Sequence, residues 1–262
     1  MRNRALILAA GRGTRLGKHN NNKPKCLFEI NGLSLIERNL IFFKYANLNP
    51  ILVSGFEKEK LHFLNLPMIY NSEYKETNML WSLYQASDYM NEDFIVCYSD
   101  ILINSLLVKK LKSFDKGIGL IIDKDWLEYW QLRFDDPLID AESLEVSKDG
   151  FILDIGKKVN EISKIQGQYI GFFKVSGKDR LLFKDKLIDY CENQKTNHIA
   201  RKAYLTDFLQ YLINDDLKIK EIPINGDWIE IDNHNDVNAA KKSGRLSKIE
   251  RDVNRIMNKN NL

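Results

Sequence analysis

A glycine-rich turn near the start of the chain is the first segment whose residue types suggest chemistry. Residues 5–10 (ALILAA) form an unbroken apolar run, typical of a strand buried on both faces of a parallel sheet, and residues 11–13 (GRG) follow directly. Because glycine lacks a Cβ and tolerates positive φ, backbone N–H groups in such a turn can approach phosphates closely. Arg15 and Lys25 add mobile positive charge nearby. The pattern predicts a phosphate-binding loop, although GxG turns also arise for steric reasons alone.

Two aspartates stand at the ends of predicted strands. Asp100 follows the buried run 93–98 (DFIVCY), and Asp232 ends the alternating segment 226–232 (GDWIEID). Open α/β sheets bind ligands beyond the carboxyl ends of their strands, and Mg²⁺ prefers carboxylate oxygens as protein ligands. An aspartate at such a position also serves as a turn former or helix cap. The residues alone leave both interpretations open.

The elements that must position these residues alternate between strand and helix. Strands are predicted at 5–10, 50–54, 68–70, 93–98, 118–122, 144–146, 151–155, 169–175 and 219–224, and helices at 34–47, 78–90, 204–212 and from 235. Such alternation predicts an α/β fold with a doubly wound sheet. No stretch has a linker composition, so residues 1–244 are expected to form one domain. The charged, asparagine-rich residues 245–262 are expected to form a solvated helical tail.

Composition excludes several classes of protein. The 39 basic and 36 acidic residues are interspersed and leave a net charge of +3, which gives no case for nucleic-acid binding. Three separated cysteines without CxxC spacing suggest neither a disulfide framework nor a zinc site, so a reducing cytoplasm fits best. No apolar run approaches the length of a membrane span. We therefore expect a soluble cytoplasmic protein, with a homodimer as the default assembly.

The segments LILAAGRGTRLG and NKPKCL resemble the N-terminal signature of the sugar-phosphate nucleotidylyltransferases, and the resemblance extends over nearly the whole chain. It implies a single GT-A-like domain with a Rossmann-like, doubly wound mixed sheet, and Mg²⁺ held by Asp100 and Asp232. It also implies catalytic roles for Arg15 and Lys25 at the phosphates. The expected nucleotide-binding residues are Leu8, Ala9, Ala10, Gly11, Arg12, Gly13, Thr14, Asn78 and Ser99. The P-loop motif GxxxxGK[ST] is absent, which argues against a P-loop ATPase or kinase.

Segments 77–83 (TNMLWSL), 133–142 (RFDDPLIDAE), 155–158 (IGKK) and 167–171 (GQYIG) resemble the phosphocholine and 2-aminoethylphosphonate cytidylyltransferases. This resemblance implies transfer of CMP from CTP to a small amine-bearing phosphate or phosphonate, with release of pyrophosphate. The expected acceptor-binding residues are Asp140, Glu142, Lys157 and Tyr169. Aromatic residues could add a face for an ammonium group. Among them, the segment 126–130 (WLEYW) is interpreted as a lid or an acceptor wall.

Attack by an acceptor phosphate needs little help from a general base, because a phosphate monoester with a second pKa of about 6 is largely ionised at neutral pH. Phosphocholine, 2-aminoethylphosphonate, phosphoethanolamine and a phosphorylated amino acid satisfy the same charge argument. Two alternatives stay open, namely a sugar-1-phosphate nucleotidylyltransferase using UTP, dTTP or GTP, and a non-catalytic nucleotide-sensing subunit. The presence of Arg15, Lys25, Asp100 and Asp232 disfavours the non-catalytic alternative.

Overall fold

The computed structural model describes residues 4–20 and 22–260, and its elements follow the predicted alternation of strand and helix. The strands are β1 Arg4–Ala9, β2 Glu29–Ile30, β3 Leu33–Ser34, β4 Asn49–Ser54, β5 Met68–Tyr70, β6 Phe94–Tyr98, β7 Ile101–Leu102, β8 Gly117–Asp123, β9 Glu142–Val146, β10 Ile152–Lys158, β11 Gln168–Ser176, β12 Ile219–Ile224 and β13 Ile229–Glu230. The helices are α1 Leu35–Tyr45, α2 Met79–Tyr84, α3 Ser105–Lys112, α4 Trp126–Arg133, α5 Asp179–Glu192, α6 Asn197–Ala200, α7 Leu205–Asn214, α8 His234–Lys242 and α9 Arg245–Asn260.

A seven-stranded mixed sheet organises the molecule, in the order β12-β8-β11-β6-β1-β4-β5. Strand β1 pairs in parallel with β4 and β6, whereas β11 runs antiparallel to both β6 and β8. The amino end of β11 therefore lies at the same edge of the sheet as the carboxyl ends of β1 and β6. Residues from all three strands can meet there, which confirms the predicted α/β class and its mixed, doubly wound sheet.

Apolar clusters cover both faces of this sheet. One cluster joins α1, α3, α4, α8 and α9 to one side, and the other joins α2, α5 and α7 to the opposite side. Alternate residues of the central strands point to opposite faces, so Ile7 belongs to the first cluster and Leu6 to the second. The continuous apolar run predicted as a fully buried strand is confirmed as β1.

Two segments differ from the expectation of solvated or mobile structure. The aromatic segment interpreted as a lid or an acceptor wall lies in helix α4, in which Trp126, Tyr129, Trp130 and Arg133 are buried at helical spacing along one face. The charged segment after residue 244 is helix α9, whose Leu246, Ile249, Val253 and Ile256 are buried in the core. A narrow apolar stripe at i, i+3 and i+4 spacing suffices to dock a helix whose other faces are charged. None of the helices over residues 4–20 and 22–260 combines the length and apolar character of a membrane span.

Candidate active site

A backbone hydrogen bond joins Lys25 to the glycine-rich loop beyond the carboxyl end of β1. The backbone N–H of Lys25 donates to the Gly11 carbonyl at 3.2 Å. Gly13 has φ +70°, and a Cβ built at this position would lie 2.9 Å from the Cβ of Lys25. Glycine is therefore required at position 13 both for the backbone conformation and for the close approach of Lys25.

A short antiparallel ribbon brings the two predicted metal aspartates together. Strands β7 and β13 pair Ile101 with Glu230, and the backbone N–H of Ile231 donates to the carbonyl of Asp100 at 3.0 Å. The ribbon thus holds Asp100 beside Asp232, although 131 positions separate them in the sequence. The sequence around either aspartate does not indicate that the two side chains lie close together.

Asp100, Glu230 and Asp232 form a compact carboxylate cluster. One carboxylate oxygen of each lies within 4.8 Å of the others. The ammonium of Lys25 donates to Asp100 Oδ2 at 2.6 Å and also to Asp232 Oδ1. Asp100 Oδ1 is buried and accepts no hydrogen bond from the part of the chain that the structure describes. Because the donor set consists of carboxylate oxygens and one oxygen is left available, these residues fit a hard divalent cation.

Burial and mutual charge shift the pKa values of the cluster. Burial alone would lower the pKa of Lys25, but Asp100 and Asp232 outweigh it and hold that pKa well above its ordinary value. Burial raises the pKa of Glu230 to about 8. For Asp232, burial opposes ionisation, but Lys25 and Arg15 overcome it, and its pKa is lowered. Arg15 contacts Asp232 directly, at 2.9 Å. Lys25 therefore remains charged at neutral pH, as a phosphate-binding role requires.

A cavity of about 160 Å³ opens between the glycine-rich loop and helix α2. Its lining includes predicted nucleotide-binding residues and several further ones: Leu8, Ala10, Gly11, Lys25, Tyr74, Thr77, Asn78, Met79, Ser82, Tyr98, Ser99 and Asp100. Asn78 caps α2 by accepting from the N–H of Met79 at 2.8 Å, and its amide donates to the Lys202 carbonyl at 3.2 Å. Asn78 thus both caps α2 and lines the cavity, and its nucleotide-binding role stays a prediction.

Four of the predicted nucleotide-binding residues lie outside that lining. Ala9 is buried in the core, and Gly13 packs against Lys25. The guanidinium of Arg12 lies over the ring of Phe56, 5.1 Å from its centroid. Thr14 is exposed at the start of a 3₁₀ turn. Arg12, Gly13 and Thr14 thus belong to the loop beside the cavity, and Ala9 belongs to the strand that precedes it.

A second cavity, of about 210 Å³, shares Met79, Tyr98 and Asp100 with the first. Three of the four predicted acceptor-binding residues line it, together with residues from β11, β13 and α7: Arg15, Trp130, Asp140, Glu142, Gln168, Tyr169, Ile170, Gly171, Tyr204, Thr206, Trp228, Glu230 and Asp232. Lys157 does not. Its ammonium pairs with Asp154, and its side chain is 63% exposed on the β9–β10 hairpin. The lysine belongs to a different surface from the other three.

The carboxylates of the second cavity have raised pKa values because they are buried. Burial raises the pKa of Glu142 to about 7, and it also raises the pKa of Asp140. Gln168 holds the backbone of Glu142 in place, accepting from its N–H at 3.1 Å and donating to its carbonyl at 2.6 Å. Asp140 accepts from the Trp130 indole N–H at 3.1 Å. Glu142 therefore titrates near neutral pH inside the cavity.

Only some of the aromatic residues in this region reach the second cavity. Trp130, Tyr169 and Trp228 border it, whereas Trp126 and Tyr129 pack behind them. Trp130 on the buried face of α4 and Trp228, just before β13, form one wall of the cavity, with their ring centroids 5.9 Å apart. The segment 126–130 thus contributes one ring to a fixed wall.

Gly171 allows β11 to bulge against Tyr98 at the floor of the cavity. The register of β11 with β8 shifts between Tyr169 and Phe173, and Gly171 has φ +78°. A Cβ at this position would lie 2.2 Å from the ring of Tyr98. The absence of a side chain lets Tyr98 stand between the two cavities, where its ring also meets Tyr169 at 6.1 Å.

Comparison with known proteins agrees with this arrangement. A family model described as a MobA-like NTP transferase domain matches residues 5–116. A CTP:phosphoglutamine cytidylyltransferase from Campylobacter jejuni is 35% identical over 248 residues, which cover 87% of this chain and 95% of that protein. This chain is a nucleotidyltransferase of the MobA-like NTP transferase family. A choline-phosphate cytidylyltransferase from Haemophilus influenzae is 31% identical to the nucleotidyltransferase over 131 residues, 47% of this chain and 56% of that protein.

A solved structure shares the fold of the nucleotidyltransferase. The CTP:phosphocholine cytidylyltransferase from Streptococcus pneumoniae superposes with a TM-score of 0.70 at 20% identity, covering 92% of this chain and 99% of that one. At this level of identity the likeness concerns the fold alone. It agrees with the predicted GT-A-like architecture.

Several site residues of the nucleotidyltransferase were not predicted from its sequence. Glu230 precedes Asp232 by two positions in an alternating strand, so the two-residue period could have placed both carboxylates on one face. Arg133 completes the buried face of α4. An arginine at the helical spacing of buried aromatic residues could have indicated a buried charge in the site. Gln168 lies within the segment 167–171 that the resemblance had already indicated, whereas Thr206 carries no such signal, since only the tertiary fold brings it to the cavity.

Proposed function

We propose that this nucleotidyltransferase is a CTP-dependent cytidylyltransferase that transfers CMP to a small amine-bearing phosphate or phosphonate and releases pyrophosphate. The observation that carries the proposal is the junction of the two cavities at Asp100. One cavity borders the glycine-rich loop and Lys25, and the other borders Asp140 and Glu142. The 35% identity to a CTP:phosphoglutamine cytidylyltransferase over most of both chains supports the nucleotide and the acceptor class.

The reaction follows from this arrangement. A phosphate oxygen of the acceptor attacks the α-phosphorus of CTP and forms a new phosphorus–oxygen bond. The bond between the α-phosphorus and the oxygen that bridges it to the β-phosphorus breaks, so pyrophosphate leaves. Lys25 and Arg15 carry the positive charge closest to the junction and offset negative charge as it moves onto the leaving group. The acceptor phosphate is already largely ionised, with a second pKa of about 6, so the site needs no strong base.

We propose Mg²⁺ as the divalent cation. Asp100 and Asp232 would hold it, with Glu230 alongside. When bound, Mg²⁺ supplies positive charge to the nucleotide phosphates. Around it, Arg15 and Lys25 already contact the same aspartates and are placed to exchange carboxylate for phosphate contacts.

The second cavity suits an acceptor that combines phosphorus with an amine. Asp140 and Glu142 offer carboxylates to an ammonium group, and Trp130, Tyr169 and Trp228 offer aromatic rings. A cation near an aromatic face gains roughly 0.5–2 kcal/mol, depending on its desolvation. Phosphoglutamine, named in the relative from C. jejuni, combines a phosphoryl group with an amino acid and belongs to this acceptor class.

A screen of pyrophosphate release tests the proposal. CTP, UTP, dTTP and GTP are each combined with phosphoglutamine, phosphocholine, 2-aminoethylphosphonate, phosphoethanolamine and glucose 1-phosphate, using the parent chain and the Asp100→Asn variant. Release should require CTP and an amine-bearing acceptor, and it should be lost in the variant. Preference for UTP with glucose 1-phosphate would instead establish the sugar-nucleotide alternative.

A further inference from the structure

Arg133 lies behind the carboxylate cluster and is the most deeply enclosed cation in contact with it. Its side chain is 0% exposed, at the carboxyl end of helix α4. The guanidinium lies 5.1 Å from the ring centroid of Trp130 and 5.0 Å from that of Phe134. Aromatic walls keep water away from its ion pairs, and an ion pair interacts more strongly where water is excluded. An arginine in such a place is held by its charged partners.

Three carboxylates surround this guanidinium. Its Nη1 donates to Glu230 at 2.7 Å and its Nε to Asp236 at 2.9 Å, while Nη2 lies 3.7 Å from Asp232 Oδ2. Two of these partners, Glu230 and Asp232, belong to the cluster that fits a divalent cation. Arg133 therefore contacts, from behind, two carboxylates that line the second cavity.

Asp236 links the same arginine to the backbone of Asp232. One oxygen of Asp236 accepts from Arg133, and the other accepts from the backbone N–H groups of Asp232 and Asn233 at 2.7 and 2.9 Å. This carboxylate is 0% exposed and lies in the first turn of helix α8, where it forms a capping box with Asn233. Arg133 and Asp236 thus fix the main chain of Asp232, and Arg133 also restrains the side chain of Glu230.

We propose that Arg133 is a positioning residue for the divalent-cation site, acting through Glu230 and Asp232. The inference rests on the proposed metal-dependent function and adds a residue outside the predicted ligands. A residue that orients a metal ligand from behind commonly changes metal affinity by about 10- to 100-fold when it is altered. Lysine retains the charge but cannot make three ion pairs in the fixed fork of a guanidinium. Replacement of Arg133 by lysine therefore misplaces the carboxylates while leaving every ligand present.

Binding of Mn²⁺ measured by electron paramagnetic resonance tests this role without turnover. Parent protein, Arg133→Lys and Arg38→Lys are titrated with Mn²⁺ in the presence of CTP and without acceptor, against CTP alone as the blank. Arg38 is an apt control because it is 2% exposed and donates to the Leu33 and Ile30 carbonyls, away from the cluster. We expect the Mn²⁺ dissociation constant to rise about 10- to 100-fold in Arg133→Lys and to stay within about twofold of the parent in Arg38→Lys.

Asp236→Asn provides a second variant that keeps the backbone contacts of Asp232 but turns an amide toward Arg133. It should weaken Mn²⁺ binding in the same direction, and it decides the question if Arg133→Lys does not fold. Parent-like Mn²⁺ affinity in a folded Arg133→Lys or Asp236→Asn protein would overturn the inference. An equal loss in Arg38→Lys would also overturn it, because the effect would then reflect general destabilisation. Failure of the parent itself to bind Mn²⁺ would contradict the proposed function instead.

Discussion

The backbone N–H of Ile231 donates to the carbonyl of Asp100 at 3.0 Å, and this bond joins two distant parts of the chain at the active site. It extends the β7–β13 pairing by one step, so that Asp232 follows immediately beside Asp100. The main chains of the two aspartates are therefore joined by the ribbon, and the side chain of Asp236 holds the backbone N–H of Asp232 in addition. Substitutions of site side chains should consequently leave the β7–β13 ribbon in place.

Asp100→Asn and Asp232→Asn should each lower turnover by roughly 100-fold or more, because each removes a carboxylate that would hold the divalent cation, whose positive charge neutralises the nucleotide phosphates. EDTA should have the same effect on the parent protein. Asp227→Asn is the matched control, since Asp227 lies in the same GDWIEID segment but pairs with Lys248 at the surface. Steady-state pyrophosphate release, with circular dichroism as the test of folding, measures these effects. Full activity in either site variant, or in metal-free buffer, would contradict the metal proposal.

Lys25→Ala should lower kcat by orders of magnitude more than it raises the KM for CTP. Its buried ammonium lies between Asp100 and Asp232 at the junction of the cavities, where its charge counts most as pyrophosphate departs. Lys23→Ala, in the same NKPK segment, removes a lysine that pairs with Glu29 on the surface, and it should stay close to the parent. Initial rates over a range of CTP concentrations separate the two parameters. A change confined to KM would make Lys25 a ground-state binding residue.

The kcat/KM for amine-bearing acceptors should fall as the pH drops below about 7. Burial raises the pKa of Glu142 to about 7, so its carboxylate is lost below this pH and kept above it. The kcat/KM for the acceptor reports this ionisation in the free enzyme. Glu142→Gln should lower kcat/KM at pH 8 and remove most of the acid-side decline, whereas Glu145→Gln, on the exposed face of the same strand, should keep the parent profile. An unchanged profile in Glu142→Gln would show that another group causes the decline.

Gly171→Ala should disturb the acceptor cavity and cost stability. Alanine at φ +78° is strained, and its Cβ would also lie 2.2 Å from the Tyr98 ring. Gly32→Ala isolates the first effect, because Gly32 has φ +83° with nothing within 4 Å of a Cβ. The extra overlap should make Gly171→Ala roughly 1–3 kcal/mol less stable than Gly32→Ala in urea unfolding. Equal stabilities would show that β11 relaxes away from Tyr98 at no cost.

The sequence predicted those parts of the fold that local patterns determine. Continuous apolar runs identified β1 and β6, and β5 and β12 were predicted with their observed bounds. Helix α5 was not predicted, because its apolar residues do not recur with a clear helical period. Helix α9 was predicted to be solvated because most of its residues are charged or polar. Its few apolar residues form a narrow stripe, and this stripe packs into the core.

The site was predictable where chemistry follows a strand directly. Lys25, Asp100 and Asp232 converge as expected. Asp100 follows β6, the β7–β13 ribbon brings Asp232 beside it, and Lys25 is hydrogen-bonded to the glycine-rich loop after β1. Lys157 was predicted from resemblance and lies on another surface, since a hairpin directs its side chain toward Asp154. Thr206 reaches the acceptor cavity from a helix distant in sequence. Contacts of this kind depend on tertiary packing, which no local period encodes.

CTP and an amine-bearing phosphate are the proposed substrate pair, and one competition experiment tests this pairing directly. Parent protein is incubated with equal concentrations of CTP and UTP, together with phosphoglutamine, 2-aminoethylphosphonate and glucose 1-phosphate, and the products are identified by mass spectrometry. We expect CDP-linked products of the amine-bearing acceptors to accumulate first and to exceed the products formed from UTP or glucose 1-phosphate. Predominant formation of UDP-glucose or CDP-glucose would contradict it.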